Sequence, residues 1–242
     1  HDLRFLYAHY PAAYEVDRTA GANAIRQPLD NLNEAGSLYG AIIYQKAPVV
    51  MRHLENLLGA DNFRDGLREY LKRHEFANAT WSDLITVLDA RTPVDLQQWS
   101  RAWVDQPGRP AIQTELQIKD GKIARLAFRQ RDPRGRNLTW PQQLRVALGM
   151  PTGREMLTVD LNGAVADVPQ AVGKPAPVYV LPSAGGWAYG SFALDRATID
   201  YLTTALPEID DPLTRGSAWV TLWDALLDGQ VRPAAFVDLA MQ

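Results

Sequence analysis

Ile42-Ile43-Tyr44-Gln45-Lys46-Ala47-Pro48, continued by Val49-Val50-Met51-Arg52-His53-Leu54-Glu55-Asn56-Leu57-Leu58-Gly59, is the stretch that decides the fold. It predicts a short extended entry and then a helix with Pro48 in its first turn, where the missing N–H costs nothing. Val50, Leu54, Leu57 and Leu58 fall at i, i+4, i+7 and i+8 and make one apolar face. Gly59 stands where a left-handed helix stop belongs. The polar element is Tyr44-x-Lys46, just ahead of the helix. A phenol held at the start of a packed helix is a rigid hydrogen-bond donor, suited to negative charge developing on a substrate oxygen. The bland alternative for Tyr44 is a half-buried core tyrosine.

Downstream, helical period continues to residue 109. Asp61 is a candidate N-cap, followed by an apolar stripe of Phe63, Leu67, Tyr70 and Leu71. Thr80-Trp81-Ser82-Asp83 has the form of a capping box, with Trp81, Leu84, Ile85 and Leu88 facing inward. Asp95, Leu96, Trp99, Ala102 and Trp103 build a further helix, and Pro107-Gly108-Arg109-Pro110 ends the helical region. His53 reads as a satisfied structural histidine at the edge of an apolar face. Upstream, Leu3, Leu6, Tyr7 and Tyr10 form a partial stripe that Pro11 is expected to end. Asp17 to Gly21 reads as a polar linker. Asn31, Asn33 and Glu34 are polar enough to approach a substrate, although capping and turning the chain is the commoner role for such residues.

Beyond residue 110 the period changes. Gln113 to Ile118 and Ile123 to Gln130 alternate around a Lys119-Asp120-Gly121-Lys122 hairpin turn. Leu144–Leu148, Glu155–Leu161 and Val178–Leu181 add further strands, so a small β-sandwich is expected over 110–186. Arg129, Arg131, Arg134 and Arg136 gather around Asp132-Pro133, which suits an anion patch or, more ordinarily, a solvated hairpin tip. From 187 to 242 helical period returns, with Leu213, Ala218, Trp219, Leu222, Trp223, Leu226 and Leu227 as one long apolar face. Its exposed apolar parts leave room for self-association. The chain is thus multidomain α+β, divided at 1–109, 110–186 and 187–242.

Composition narrows the function classes. The 242 residues carry a net charge of −3, which is no electrostatic footprint for nucleic acid. No apolar run approaches a membrane span. With no cysteine there is neither a disulfide nor a thiolate metal site, and cytoplasm and periplasm are not distinguished.

Several segments together resemble the M1 family of zinc aminopeptidases. They are Ser37-Leu38-Tyr39 with Tyr44-Gln45-Lys46-Ala47-Pro48 and the Arg52-x-Leu54-Glu55 helix; Leu58 to Leu71; Asn78 to Leu84; and Trp103 to Pro110. Their order and spacing match over roughly ninety residues. The resemblance implies the helical part of a thermolysin-like catalytic domain, then a β-sandwich, then the first helices of a C-terminal helical domain. It implies peptide substrates, a zinc cofactor, and Tyr44 as the residue that stabilises the tetrahedral intermediate. Ala47-Pro48 departs from the family's usual glycine and small residue, which should shift the helix entry slightly without removing the phenol.

The family's zinc motif, two histidines four apart with a glutamate beside the first, does not occur. The histidines are His1, His9, His53 and His74, and His74-Glu75-Phe76-Ala77-Asn78 ends in asparagine where a second histidine is needed. The Gly-x-Met-Glu-Asn segment for the substrate amine does not occur either. No metal ligand is therefore assigned within the chain. The expectation is that the ligands lie in a missing N-terminal catalytic half and that residues 1–242 are inactive alone. The alternative is a non-catalytic binding or assembly module with M1-like architecture.

Overall fold

The computed structural model describes residues 1–242 apart from residues 30, 32, 34 and 152 and the side chain of Ser37. The chain opens with α1 (Asp2–Asp17), which buries Leu6, Tyr10, Ala13, Tyr14 and Asp17 along one side. Pro11 was expected to end this helix, yet α1 runs through it. An interior proline costs about 3 kcal/mol, and the buried Tyr10, Ala13 and Tyr14 on either side of it offset that loss. Asp17 is accordingly not part of a linker. It is the buried last residue of α1.

A short α2 (Ala35–Leu38) precedes the decisive stretch. Ile42–Lys46 is not extended, as the sequence suggests, but a π-helical turn that runs directly into α3 (Ala47–Leu58). Ala47 N–H reaches back to the Ile42 carbonyl, the i→i+5 bond of a π-turn, and Pro48 has no N–H to contribute to the ordinary ladder. α3 buries Val49, Val50, His53, Leu54 and Leu58. Gly59, at φ 79°, both ends α3 and caps α4 (Ala60–Arg73), so Asp61 lies in the first turn instead of capping it. The Thr80–Asp83 capping box forms and starts α5 (Trp81–Asp89), and Asp95 caps α6 (Leu96–Trp103).

The strands form two sheets. β1 (Ala111–Lys119) and β2 (Lys122–Arg131) pair antiparallel across a turn in which Asp120 and Gly121 have φ of 51° and 70°, the sign a tight two-residue hairpin requires. β3 (Gln142–Met150), β4 (Gly153–Leu161), β5 (Val165–Asp167), β6 (Tyr179–Leu181) and β7 (Ser191–Ala193) complete the sheets, with orders β5-β2-β1-β7 and β4-β3-β6. β7 falls where the sequence suggests only helix. It pairs parallel with β1 through three residues, too few to show a period of two. α7 (Arg196–Ala205), α8 (Pro212–Leu227) and α9 (Pro233–Ala240) follow.

Two apolar cores result. One joins the inner faces of both sheets to α7, α8 and α9 through residues such as Phe128, Leu144, Leu181, Leu202 and Leu222. The other joins α1, α3, α5 and α6 through Tyr10, Leu54, Leu88, Trp99 and Trp103, and takes in Trp140, Tyr189 and Val220 from the C-terminal part. The architecture is mixed α+β, as the sequence predicts. Among the described residues no helix is long and apolar enough to cross a membrane.

Candidate functional site

The π-turn sorts its side chains by side. Positions two apart on a helical turn point away from each other, so Tyr44 and Lys46 cannot share an environment. Tyr44 is 55% exposed, with its ring 5.8 Å from the ring of exposed Tyr39. Lys46 is fully buried. Its Nζ lies 2.9 Å from Asp17 Oδ2 and donates to the Gly108 carbonyl at 2.7 Å. Burial pulls the Lys46 ammonium below the ordinary lysine value, and Asp17 acts in the opposite direction.

Tyr189 closes this arrangement. Its hydroxyl donates to Asp17 Oδ2 at 2.9 Å, and its ring centroid lies 5.6 Å from Lys46 Nζ. Its ring also meets those of Tyr14 at 4.9 Å and Tyr10 at 5.8 Å. Burial raises the Tyr189 phenol well above the ordinary tyrosine range, so it stays a donor. Gln142 clamps the Tyr189 backbone, accepting from its N–H at 2.9 Å and donating to its carbonyl at 3.1 Å. Tyr10 adds a bond to the Gly186 carbonyl at 2.7 Å. The end of α1, the π-turn, the link into β1 and the segment before β7 are thereby tied together beneath Tyr44.

A second buried pair lies beside the first. Arg109 donates to Asp224 of α8 at 2.8 Å, and its guanidinium carbon stands 4.2 Å from the Tyr14 ring centroid. Neither this pair nor Lys46–Asp17 is evident in the sequence. A buried charge announces itself only through its partner, and these partners are 115 and 29 residues apart.

His53 is buried, edge-on to Trp103 with centroids 5.0 Å apart. Neither ring nitrogen makes a hydrogen bond of good geometry among the described residues, although the Trp187 backbone favours the protonated ring. Burial lowers it to about 4, so it is neutral at pH 7. Asn33 N–H donates to Asn31 Oδ1 at 3.0 Å, which is a local turn. Glu34 lies outside the described residues. Arg129, Arg131 and Arg134 are exposed around the turn that follows β2, as the sequence suggests, but the turn is not a hairpin, because β2 and β3 belong to different sheets. Arg129 pairs with Glu115, Arg136 with Asp132, and Arg134 folds back onto the end of α1.

No group of three or more His, Cys, Asp or Glu side chains among the described residues is placed to hold a metal ion. The residues present therefore do not fit a zinc centre.

Residues 2–103 match the family model described as the Peptidase family M1 domain. Aminopeptidase N of Streptomyces lividans is 27% identical over 95% of this chain and 28% of its own length. Puromycin-sensitive aminopeptidase of Caenorhabditis elegans is 31% identical over 61% of this chain and 16% of its own length. Tricorn protease-interacting factor F2 of Thermoplasma volcanium is 27% identical over 59% of this chain and 18% of its own length. The chain thus spans less than a third of each of these relatives. On the family match and these relatives, residues 2–103 are similar to the Peptidase family M1 domain, and the chain as a whole is similar to parts of known aminopeptidases.

Proposed function

We propose that this chain supplies one part of the catalytic apparatus of a zinc-dependent aminopeptidase that removes N-terminal residues from peptides. In this reading Tyr44 is the catalytic residue contributed by the chain. Its phenol donates a hydrogen bond to the oxyanion that forms as the scissile carbonyl is attacked, and the proton stays on the tyrosine. The observation that carries the reading is the contrast within one turn. Lys46 is fully buried and ion-paired, while Tyr44 stands 55% exposed two residues before it. An oxyanion donor works because it is in place before charge develops, so that nothing need reorganise during the reaction. A turn anchored from below with its phenol free above meets that requirement. The names of the relatives, aminopeptidase N and puromycin-sensitive aminopeptidase, support the substrate class.

The residues described here make no metal site, so the reading assigns the zinc ligands to residues other than these and expects the chain alone to be inactive. The first test is zinc content. After chelation, reloading and desalting, residues 1–242 should retain almost no zinc, and one firmly bound zinc per chain would overturn the assignment. The second is Tyr44→Phe in a polypeptide that carries the complete M1 domain. Loss of an oxyanion donor should lower kcat on the order of 100-fold or more with little change in fold. A loss of less than a few-fold would remove Tyr44 from the mechanism.

A further inference from the structure

From the arginine cluster we infer that the cavity between the end of α1, the link into β1 and the β2–β3 connection is a binding site for a tetrahedral dianion, a phosphate or sulfate group either free or carried on a small molecule. This goes beyond the peptidase reading and does not depend on it.

The cavity has a volume of about 380 Å³, and Arg18, Arg109, Arg131, Arg134 and Arg136 all line it. Charge pairing separates these five into two sets. Arg18 is paired with Asp228, Arg109 with Asp224 at 2.8 Å and Arg136 with Asp132 at 2.8 Å. Asp17, which also lines the cavity, is taken by Lys46 at 2.9 Å. Each of these four carboxylates is therefore matched. Arg131 and Arg134 have no carboxylate within ion-pair distance among the described residues. Two guanidinium charges are left over at the mouth of one cavity, which is the complement of a dianion.

The geometry around Arg134 supports the assignment. Its Nη2 donates to the carbonyls of Thr19 at 3.0 Å and Ala20 at 3.4 Å, which fixes the guanidinium plane. Its Nε and Nη1 donate to nothing among the described residues, so each remains as a single donor for a ligand. Gly108 lies beside this guanidinium, where the backbone itself favours glycine. That residue has φ 90°, and a Cβ there would stand 3.4 Å from Arg134 Nε. Arg131 has no side-chain hydrogen bond among the described residues. It also lines a neighbouring cavity of about 400 Å³, with Ser191 and Gln230, where the organic remainder of a carried phosphate would find space.

The test is calorimetric titration of the chain with inorganic phosphate at constant ionic strength, with chloride as the balancing anion. One phosphate per chain is expected. Its affinity should rise between pH 5 and pH 8 as the second proton leaves around neutral pH, whereas sulfate affinity should stay flat. Arg131→Ala removes no side-chain hydrogen bond or ion pair among the described residues, so it leaves the fold intact, and it should weaken phosphate by about fivefold or more. Arg196→Ala, which removes a cation paired with Asp200 on α7, should leave binding unchanged. O-phosphoserine tighter than inorganic phosphate identifies a carried phosphate, and the reverse order identifies the free ion. Phosphate heats no greater than those of chloride at equal ionic strength would overturn the site, as would Arg131→Ala binding that matches the native chain.

Discussion

Replacing Lys46 by methionine keeps an unbranched side chain, one atom shorter, and removes its charge. In the native chain the ammonium meets Asp17 at 2.9 Å and the Gly108 carbonyl at 2.7 Å, with both side chains of the pair fully buried. In the variant Asp17 keeps only the Tyr189 hydroxyl, because its Oδ1 has no partner among the described residues even in the native chain. Leaving one member of a buried pair typically costs about 3–5 kcal/mol. Lys46→Met should therefore lose about 4 kcal/mol at pH 7, equivalent to a fall in Tm of about 10 °C for a chain of this size. Adding Asp17→Asn should recover a large part of it, because no uncompensated charge is then left buried. Thermal and urea unfolding of the single and double variants measure this directly. A loss below about 1 kcal/mol for Lys46→Met, or no recovery in the double variant, would refute the view that this pair anchors the π-turn.

Two further perturbations test other parts of the fold. His53 is lowered to about 4 by burial, against the ordinary histidine value of 6.5. The unfolded chain therefore binds the proton more readily between those values, and stability falls as pH drops from about 6.5 to about 4, by up to roughly 3 kcal/mol. His53→Leu should flatten that part of the pH–stability curve, and an unchanged slope in the variant would show that His53 is not its source. Gly149 of β3 lies under the Tyr179 ring, and a Cβ there would come within 2.0 Å of a ring carbon. Gly149→Ala should cost about 1–3 kcal/mol in urea unfolding as the ring is displaced, and a neutral result would mean that the ring moves freely.

The anchored turn and the arginine cavity share a residue. Gly108 accepts from Lys46 through its carbonyl and lies against Arg134 with its open α-carbon. A side chain at position 108 would strain a backbone at φ 90°, while its Cβ would meet Arg134 Nε only at van der Waals distance. The Pro107-Gly108-Arg109-Pro110 link is thus a junction between three features and not merely the end of a helical region. Arg109 within it holds Asp224 of α8, and Gly108 serves both the turn and the cavity.

Local chemistry made much of this molecule readable without a structure. The Thr80–Asp83 capping box, the Asp95 cap, the Asp120-Gly121 hairpin turn and the positive φ at Gly59 all depend on residues within a few positions of one another. So do the apolar faces of α3 and α5. The segments around Tyr44, Asn78 and Trp103 carry the M1 resemblance in the same way, through identity and spacing along the chain. What the tertiary structure decided are the cases in which distant groups outweigh a local preference. α1 passes through Pro11 because its aromatic face packs on Tyr189, far along the chain. Ile42–Lys46 winds as a π-turn instead of extending because Lys46 must reach Asp17 and Gly108. β7 forms through three residues because β1 offers it a parallel edge. Burial of a charge, the pairing of a short strand and the displacement of a histidine's proton are energies of encounter between parts of the chain. They acquire a value only when those parts meet.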